Sequence, residues 1–346
     1  VLSGEFHTSY RADMAIYETA RARRVLAAFL VVLFVLPFFG SPYWLDVLNR
    51  AAIAVIAATG LNILTGFTGQ ISLGNAAFLA IGAYSTAYLA ARGVPFALVI
   101  PAAGIVTALA GMVFGVPSLR LKGLYLAMAT LAAHFIVEFL VTHWESVTGG
   151  VNGTSVPAPS VFGLPLANDR MLAFLILPAC IAHLWFAKNL FRTRVGKAFV
   201  AIRDQDISAE VMGVEVFRFK LLAFGVSSFY VGVAGSLLAY QARIISPENF
   251  PLLVAIDQLG MIIIGGLGSI LGSILGAVFW TFLNEGLRLM VSALSGQFPG
   301  LVQQFAPLRL GVFGLIVILF LVFEPDGLAA IWRRIRNWFR LYPFSY

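Results

Sequence analysis

Runs of apolar residues long enough to cross a bilayer recur along almost the whole chain, separated by short polar or glycine-containing breaks. A helical span needs about 20 mostly apolar residues. Such runs lie near 25–40, 46–65, 74–91, 95–117, 122–142, 170–189, 217–240, 253–267, 268–290 and 309–323. Glycine interrupts several of them. The pattern therefore predicts an all-α polytopic bundle of about ten spans (about eight to ten), some short or broken. A membrane barrel is excluded, because its strands alternate polar and apolar residues over about ten positions. Stretches such as Val25–Leu36 do not alternate.

Composition sharpens this reading. Hydrophobic residues make up 60% of the chain and charged residues 11%, with a mean hydropathy of +0.91. Soluble domains carry about 25% charged residues, so an ordinary soluble globule is excluded, and so is intrinsic disorder. Cys180 is the single cysteine, which rules out an intrachain disulfide and a cysteine metal cage.

Most of the 23 Lys and Arg residues fall where one face of a membrane would gather them. Arg11, Arg21, Arg23 and Arg24 precede the first run. Arg120 and Lys122 lie between the fourth and fifth runs. Lys188, Arg192, Arg194, Lys197, Arg203, Arg218 and Lys220 lie between the sixth and seventh. Arg333, Arg334, Arg336 and Arg340 follow the last. An even number of spans starting from a cytoplasmic N-terminus puts all of these inside, and puts Trp144–Asp169, which has no Lys or Arg, outside. The net charge of +7 is thus read as topology and not as a nucleic-acid footprint.

Three segments follow. Residues 1–24 are expected to form a cytoplasmic N-terminal segment, of which 1–13 look unlike the rest, native or not, and are set aside from fold reasoning. Residues 25–323 form the membrane domain, with a cytoplasmic loop at 189–216. Residues 324–346 form a cytoplasmic amphipathic helix and tail. The first run is expected to stay as a signal anchor, since FGSPYW after it has no small-x-small cleavage site. Near the C-terminus, Leu328, Ile331, Trp332, Ile335, Trp338 and Phe339 recur at helical spacing against the arginines, as in a helix lying in a membrane interface.

Within the basic loop, Asp206 is placed to N-cap a short helix over Ile207–Met212, with Glu210 near its start and Gly213 just past its end. Ile207, Val211 and Val214 would share one side. Such a helix suits docking on a soluble partner; a solvated linker whose charges merely follow topology is the other reading.

Val195–Gly213, VGKAFVAIRDQDISAEVMG, resembles the cytoplasmic loop of ABC importer permeases. More narrowly, it is similar to branched-chain amino-acid permeases of the LivM type, a family shared with urea and amide importer permeases. Leu61–Tyr84, LNILTGFTGQISLGNAAFLAIGAY, and Ile263–Ala277, IIGGLGSILGSILGA, match the same family, and the likeness runs from Met14 through the closing EPDGLAAIWRRIRNWFRLYPFSY. Ala201, Arg203, Asp204, Ala209 and Gly213 fall on its A-x-R-D-x-x-x-x-A-x-x-x-G pattern.

The resemblance implies that Ala201, Arg203, Asp204, Asp206, Ala209, Glu210 and Gly213 form a coupling element seated in a nucleotide-binding subunit. It further implies a second homologous permease, two ATPase subunits that hold ATP and Mg, a periplasmic solute-binding protein and a bacterial inner membrane. No catalytic residue, metal or cofactor is expected on this chain. Gly196-Lys197 is followed by Ala198 and lacks the upstream glycine of a phosphate-binding loop, so ATP hydrolysis is expected elsewhere.

Several polar or small residues fall inside the apolar runs. Gln70, Ser72 and Asn75 sit among Gly66, Gly69 and Gly74. Irregular backbone at membrane depth needs protein or a cavity around it, and broken helices recur at transporter substrate sites. These residues either line a translocation path or form a tight turn at the cytoplasmic surface. Gly268, Gly272 and Gly276 repeat every fourth position, the spacing of a close helix seam within the chain or to a second permease; a gate is the alternative. His134 and Glu138 share a helix face as a structural pair. Thr148–Pro159, uncharged and rich in glycine and proline, reads as an outside surface loop. His183 reads as a packing residue.

The expected function is the permease subunit of an ATP-driven importer for branched-chain or other hydrophobic amino acids, contributing half of the path. Urea, amides or another small organic solute are alternative cargoes. An ion-coupled secondary transporter would want a carboxylate deep in the bundle, whereas Glu138, Asp257 and Glu285 fall toward span ends. An intramembrane enzyme would need a nucleophile with its base or an HExxH set, and neither occurs.

Overall fold

The computed structural model describes residues 20–118, 121, 123–161, 164–166, 168–295 and 304–341. Arg11, Arg120, Lys122 and the closing 342–346 lie outside the described residues, as do the side chains of Arg21 and Arg340. Each of the ten apolar runs is a helix. In chain order these are α1 (Ala20–Phe39), α2 (Pro42–Thr68), α3 (Asn75–Ala91), α4 (Phe96–Ser118) and α5 (Leu124–His143). A single turn, α6 (Glu145–Thr148), leads toward α7 (Asp169–Leu190). Two short helices, α8 (Arg194–Asp204) and α9 (Asp206–Val211), connect α7 to α10 (Val216–Ala242). The rest are α11 (Leu252–Gly265), α12 (Ile270–Leu294), α13 (Phe305–Phe323) and α14 (Gly327–Leu341). Among the described residues, eight helices are long and apolar enough to cross a membrane; α1 and the 17-residue α3 are the other two of the ten.

Local chemistry sets the bounds of α2 wider than the apolar run at 46–65. Pro42 occupies the first helical turn, where its missing N–H is harmless. Gly69, at φ +70°, ends the helix in a left-handed cap whose N–H donates to the Leu64 carbonyl.

Helices α2 and α10 form the centre. The spanning stretch of α2 is 89% buried inside the chain, against 6% for α13 at the periphery. Neighbours reach α10 because side chains are absent at the crossings. A methyl group on Gly82 of α3 would overlap the Gly232 carbonyl of α10, and one on Gly235 would overlap the Leu79 carbonyl. Thr107 of α4 lies against Gly232 from another side. Backbones in contact give close dispersion packing in lipid, where apolar burial alone does not drive helices together. Peripheral α13 is clasped instead by an ion pair, Arg309 to Asp257 of α11, with Trp280 of α12 beside the guanidinium.

Consecutive helices run in alternating directions, so the bundle has two distinct ends. One holds α8, α9, the start of α1, the α2–α3 break, the α11–α12 turn and the start of α14. It gathers Arg23, Arg24, Lys188, Arg192, Arg194, Lys197, Arg203, Arg218, Lys220, Arg333, Arg334 and Arg336. At or toward the far end, Arg50, Arg288 and Arg309 are each paired, with Asp46, Glu285 and Asp257.

The segment read as an outside surface loop is fastened down at the far end. β1 (Thr154–Ser155) pairs antiparallel with β4 (Ile244–Ile245), which follows α10. The buried Thr148 hydroxyl bonds the carbonyls of Val141 and Trp144. A second two-residue pair, β2 (Ser160–Val161) with β3 (Leu164–Pro165), completes this cap.

Two outcomes test the packing. Gly232→Leu should lower the unfolding midpoint of the solubilised protein, since overpacking a tight core costs about 1–3 kcal/mol; Gly286→Leu, which meets open space, should leave it unchanged. Equal midpoints would refute the seam. Asp257→Ala should speed amide exchange across 305–323 and spare α2, with Asp257→Asn falling between; unaltered exchange in α13 would show that the ion pair does not hold it.

Candidate functional site

The break after Gly69 is a buried polar hub. Gln70 donates from Nε2 to Thr68 Oγ1 at 2.9 Å, and its carbonyl accepts from Thr65 Oγ1 at 3.1 Å. Ser72 Oγ accepts from the Gly74 N–H. The Leu73 N–H donates to Thr130 Oγ1 of α5 at 2.9 Å. Asn75 donates to the Gln258 side chain of α11. Gln70, Ser72 and Asn75 are all buried. Ser72 and Asn75 face the chain's own polar groups, and only Gln70 lines an open cleft. The segment thus ties α2, α3, α5 and α11 together at one end of the bundle.

α8 opens on Thr193, whose hydroxyl accepts from the Gly196 N–H. Its apolar side, Phe199 and Ile202, is buried in the bundle, with Ala201 half-buried. Arg203 closes the helix and reaches inward, donating from Nη1 to the Gly66 carbonyl at 3.2 Å. Its Nε and Nη2 hold Asp204 Oδ1 at 3.0 and 2.9 Å. The expected cap of the next helix moves back by one residue. Gln205 takes the N-cap position without a side-chain bond, and Asp206 becomes the first residue of α9. The reason is a competing partner, for Asp206 Oδ2 accepts from Lys220 Nζ of α10 at 3.3 Å.

α9 divides cleanly. Ala209 is buried against the bundle, while Ile207, Val211 and Met212 are 64%, 82% and 84% exposed. Glu210 is also exposed. Gly213, at φ +87°, turns the chain back, and the Val214 N–H donates to the Ala209 carbonyl at 3.0 Å. Val214 therefore leaves the side it was expected to share with Ile207 and Val211.

The glycine stripe needs a correction. Gly268 is not on the helix with Gly272 and Gly276: Ser269 caps α12 by accepting from the Gly272 N–H, so the helix starts at Ile270. Gly268 sits in the preceding turn at φ +73°. Gly272 and Gly276 face α11, where added methyl groups would overlap the carbonyls of Gly266 and Met261. That seam lies within the chain.

Asn62 of α2, which sequence reasoning passed over, joins these parts. Its Oδ1 accepts from the Gly268 N–H at 2.9 Å, and its Nδ2 donates to the Ser269 carbonyl at 2.9 Å and to Ser273 Oγ at 2.7 Å. The one available signal was a lone amide inside an apolar run. Since Arg203 holds Gly66 one turn further along α2, the end of α2, the α8–α9 element and the α11–α12 turn meet at one junction. The start of α14 closes on it, with Gly327 packed on Gly265 and Gly266.

Other polar groups stay local. His134 is buried 3.7 Å from the half-exposed Glu138, and the His183 ring meets Tyr230 edge-on at 4.9 Å. Among the described residues, no three His, Cys, Asp or Glu side chains could hold a metal ion.

Residues 43–321 match the family described as the permease component of branched-chain amino acid transport systems. Two relatives, each described as high-affinity branched-chain amino acid transport system permease protein LivM, come from Salmonella typhimurium and Escherichia coli. They are 32% and 31% identical, over 91% of this chain and 77% of their own length. A ribose import permease protein, RbsC of Haemophilus influenzae, is similar at 23% identity over 73% of this chain and 79% of its own. No solved structure matches. With the profile covering most of a bundle that has eight helices of spanning length, the chain belongs to the branched-chain amino acid transport permease family and is a multi-pass membrane permease component.

Proposed function

We propose that this chain is one permease of an ATP-driven importer for branched-chain or other hydrophobic amino acids, paired with a second homologous permease to enclose the path. ATP and Mg then sit on two separate nucleotide-binding subunits, and a periplasmic binding protein delivers the solute. The names of the LivM relatives support the cargo. The observation that carries the mechanism is α9, which exposes Ile207, Val211 and Met212 while its other side is locked to the bundle by Ala209, Asp206–Lys220 and the neighbouring Arg203–Gly66 bond.

Fully burying an apolar side chain of this size contributes about 1.5–3 kcal/mol. Three of them on six residues suffice for a firm seat on a soluble subunit. The seat in turn moves α2 and the α11–α12 turn, because Arg203 and Asn62 connect them without a flexible linker. In this reading Gln70, Ser72 and Asn75 belong to the segment that shifts when the path opens, and Gly272 and Gly276 keep α11 and α12 moving as one piece. The basic end faces the cytoplasm, since excess Lys and Arg is retained on that side. The start of α1 lies there too, and α14 rests Trp332, Ile335 and Trp338, which are exposed, in the inner lipid interface.

Orientation is tested by labelling single cysteines with a membrane-impermeant maleimide in a Cys180→Ser background. Met212→Cys should react in inside-out vesicles and Val151→Cys in intact cells; the reverse pattern would invert the topology. Coupling is tested in proteoliposomes containing the whole assembly. Val211→Glu should cut ATP-driven leucine uptake at least about tenfold by removing apolar contact at the seat, since 1.4 kcal/mol is a factor of ten. Ala209→Trp, which pries α9 from the bundle, should leave ATP hydrolysis running while uptake fails. Wild-type uptake in both variants would remove α9 from the mechanism.

A further inference from the structure

Helix α14 leaves the bundle partway along its length. Its start is packed, with Gly327 and Ala329 buried and Leu328, Ala330 and Ile331 half-buried. From Trp332 to Phe339 every residue is exposed. On this free part Trp332, Ile335, Trp338 and Phe339 keep one strip, about 120° wide at 3.6 residues per turn. Arg336 flanks the strip and Arg333 lies behind it. Arg334 is already engaged, holding both carboxylate oxygens of Glu324 at 2.8 and 3.1 Å. Among the described residues, Arg333 and Arg336 meet no carboxylate. No Asp or Glu follows Asp326 in the sequence, so the free part carries uncompensated positive charge.

Position and charge together select the occupant. The 19 residues of α13 measure about 28 Å at 1.5 Å each, close to the ~30 Å of bilayer hydrocarbon. Phe323 therefore ends its span at the hydrocarbon boundary, and α14 begins four residues later, at headgroup depth. A strip holding two tryptophans suits that depth. The guanidinium groups beside it match phosphate oxygens, which they bind as paired donors. Near an anionic bilayer surface each basic residue is worth about fivefold in partition.

We propose that the free part of α14 is a docking surface for anionic phospholipid headgroups, and that the lipid it holds steadies the α11–α12 turn. The root of the helix makes the connection. Gly327 lies so close to Gly265 and Gly266 that an added methyl group would overlap their backbone, and one on Gly266 would overlap the Asp326 carbonyl. The turn itself is closed by the Gly266 N–H donating to the Ile262 carbonyl and the Gly268 N–H donating to Asn62, each at 2.9 Å. A helix held at the surface limits the opening of these bonds. The inference goes beyond the function proposed above and takes from it only the leaflet, the inner one.

The test uses the complete assembly in nanodiscs of equal parts phosphatidylcholine and phosphatidylglycerol. A fluorophore is attached at Asn337→Cys in a Cys180→Ser background, with the assembly otherwise free of cysteine, and brominated acyl chains are placed on one lipid or the other. Brominated phosphatidylglycerol should quench at least about threefold more strongly than brominated phosphatidylcholine. The double variant Arg333→Gln/Arg336→Gln should be quenched equally by both, while Arg333→Lys/Arg336→Lys keeps the preference. Amide exchange over 264–268 should be slower in phosphatidylglycerol discs than in phosphatidylcholine discs, and the Gln variant should show no such difference. Equal quenching in the wild type, or a preference that survives in the Gln variant, overturns the lipid site. So does a lack of quenching by either lipid, the result expected if α14 docks on an ATPase subunit instead. Equal exchange in the two lipids overturns the restraint on the turn. A lipid preference in an assembly whose maleimide labelling is reversed would overturn the topology proposed above and leave the lipid contact standing.

Discussion

In hydrocarbon every backbone donor and acceptor must find a partner within the protein, and helices gain little from hiding apolar side chains from an apolar solvent. The bundle meets this constraint by bringing helix backbones together where side chains are missing. Gly82, Gly232 and Gly235 place α3, α4 and α10 at such distances, and Gly265, Gly272 and Gly276 do the same for α11 and α12. Along α13 a ring, Phe313, fills the space over Gly260 of α11, and an ion pair with an aromatic neighbour adds to the hold. The centre is therefore dense and the rim is held at points.

The same constraint shapes the junction at the basic end. Breaking a helix leaves backbone groups open, and the chain closes them with side chains from distant segments: Asn62 for the α11–α12 turn, Thr130 for the α2–α3 break, Arg203 for the end of α2. Each bond that satisfies a break also joins two elements. An interruption that would loosen an isolated helix becomes, in this setting, a place where elements are connected.

Legibility in the sequence followed locality. The spans, the basic end and the exposed apolar side of α9 rest on periodicity, charge and turn chemistry, all readable over a few residues. The bounds of α2 were available in Pro42 and Gly69. What could not be read was partnership. Asn62 meets residues 206 to 211 positions away, and Gln258 lies 183 from Asn75. The regular spacing of Gly268, Gly272 and Gly276 misled for a local reason, since Ser269 competes as a helix cap and wins. Asp206 likewise had two local roles to choose from, and a lysine 14 residues away decided.

At the opposite end of the bundle, the short β1–β4 pair stitches the connection after α5 to the exit of α10, and Arg243 reaches across to the Leu166 carbonyl at 2.7 Å. One end of α10 is thus pinned while the other adjoins α8 and α9. At 1.5 Å per residue its 27 residues measure about 40 Å. A helix pinned at its top behaves as a lever arm about that fulcrum, so each ångström of travel at its base is a tilt of about 1.4° over that length. Any displacement at the base of α10 would then turn about the stitched cap.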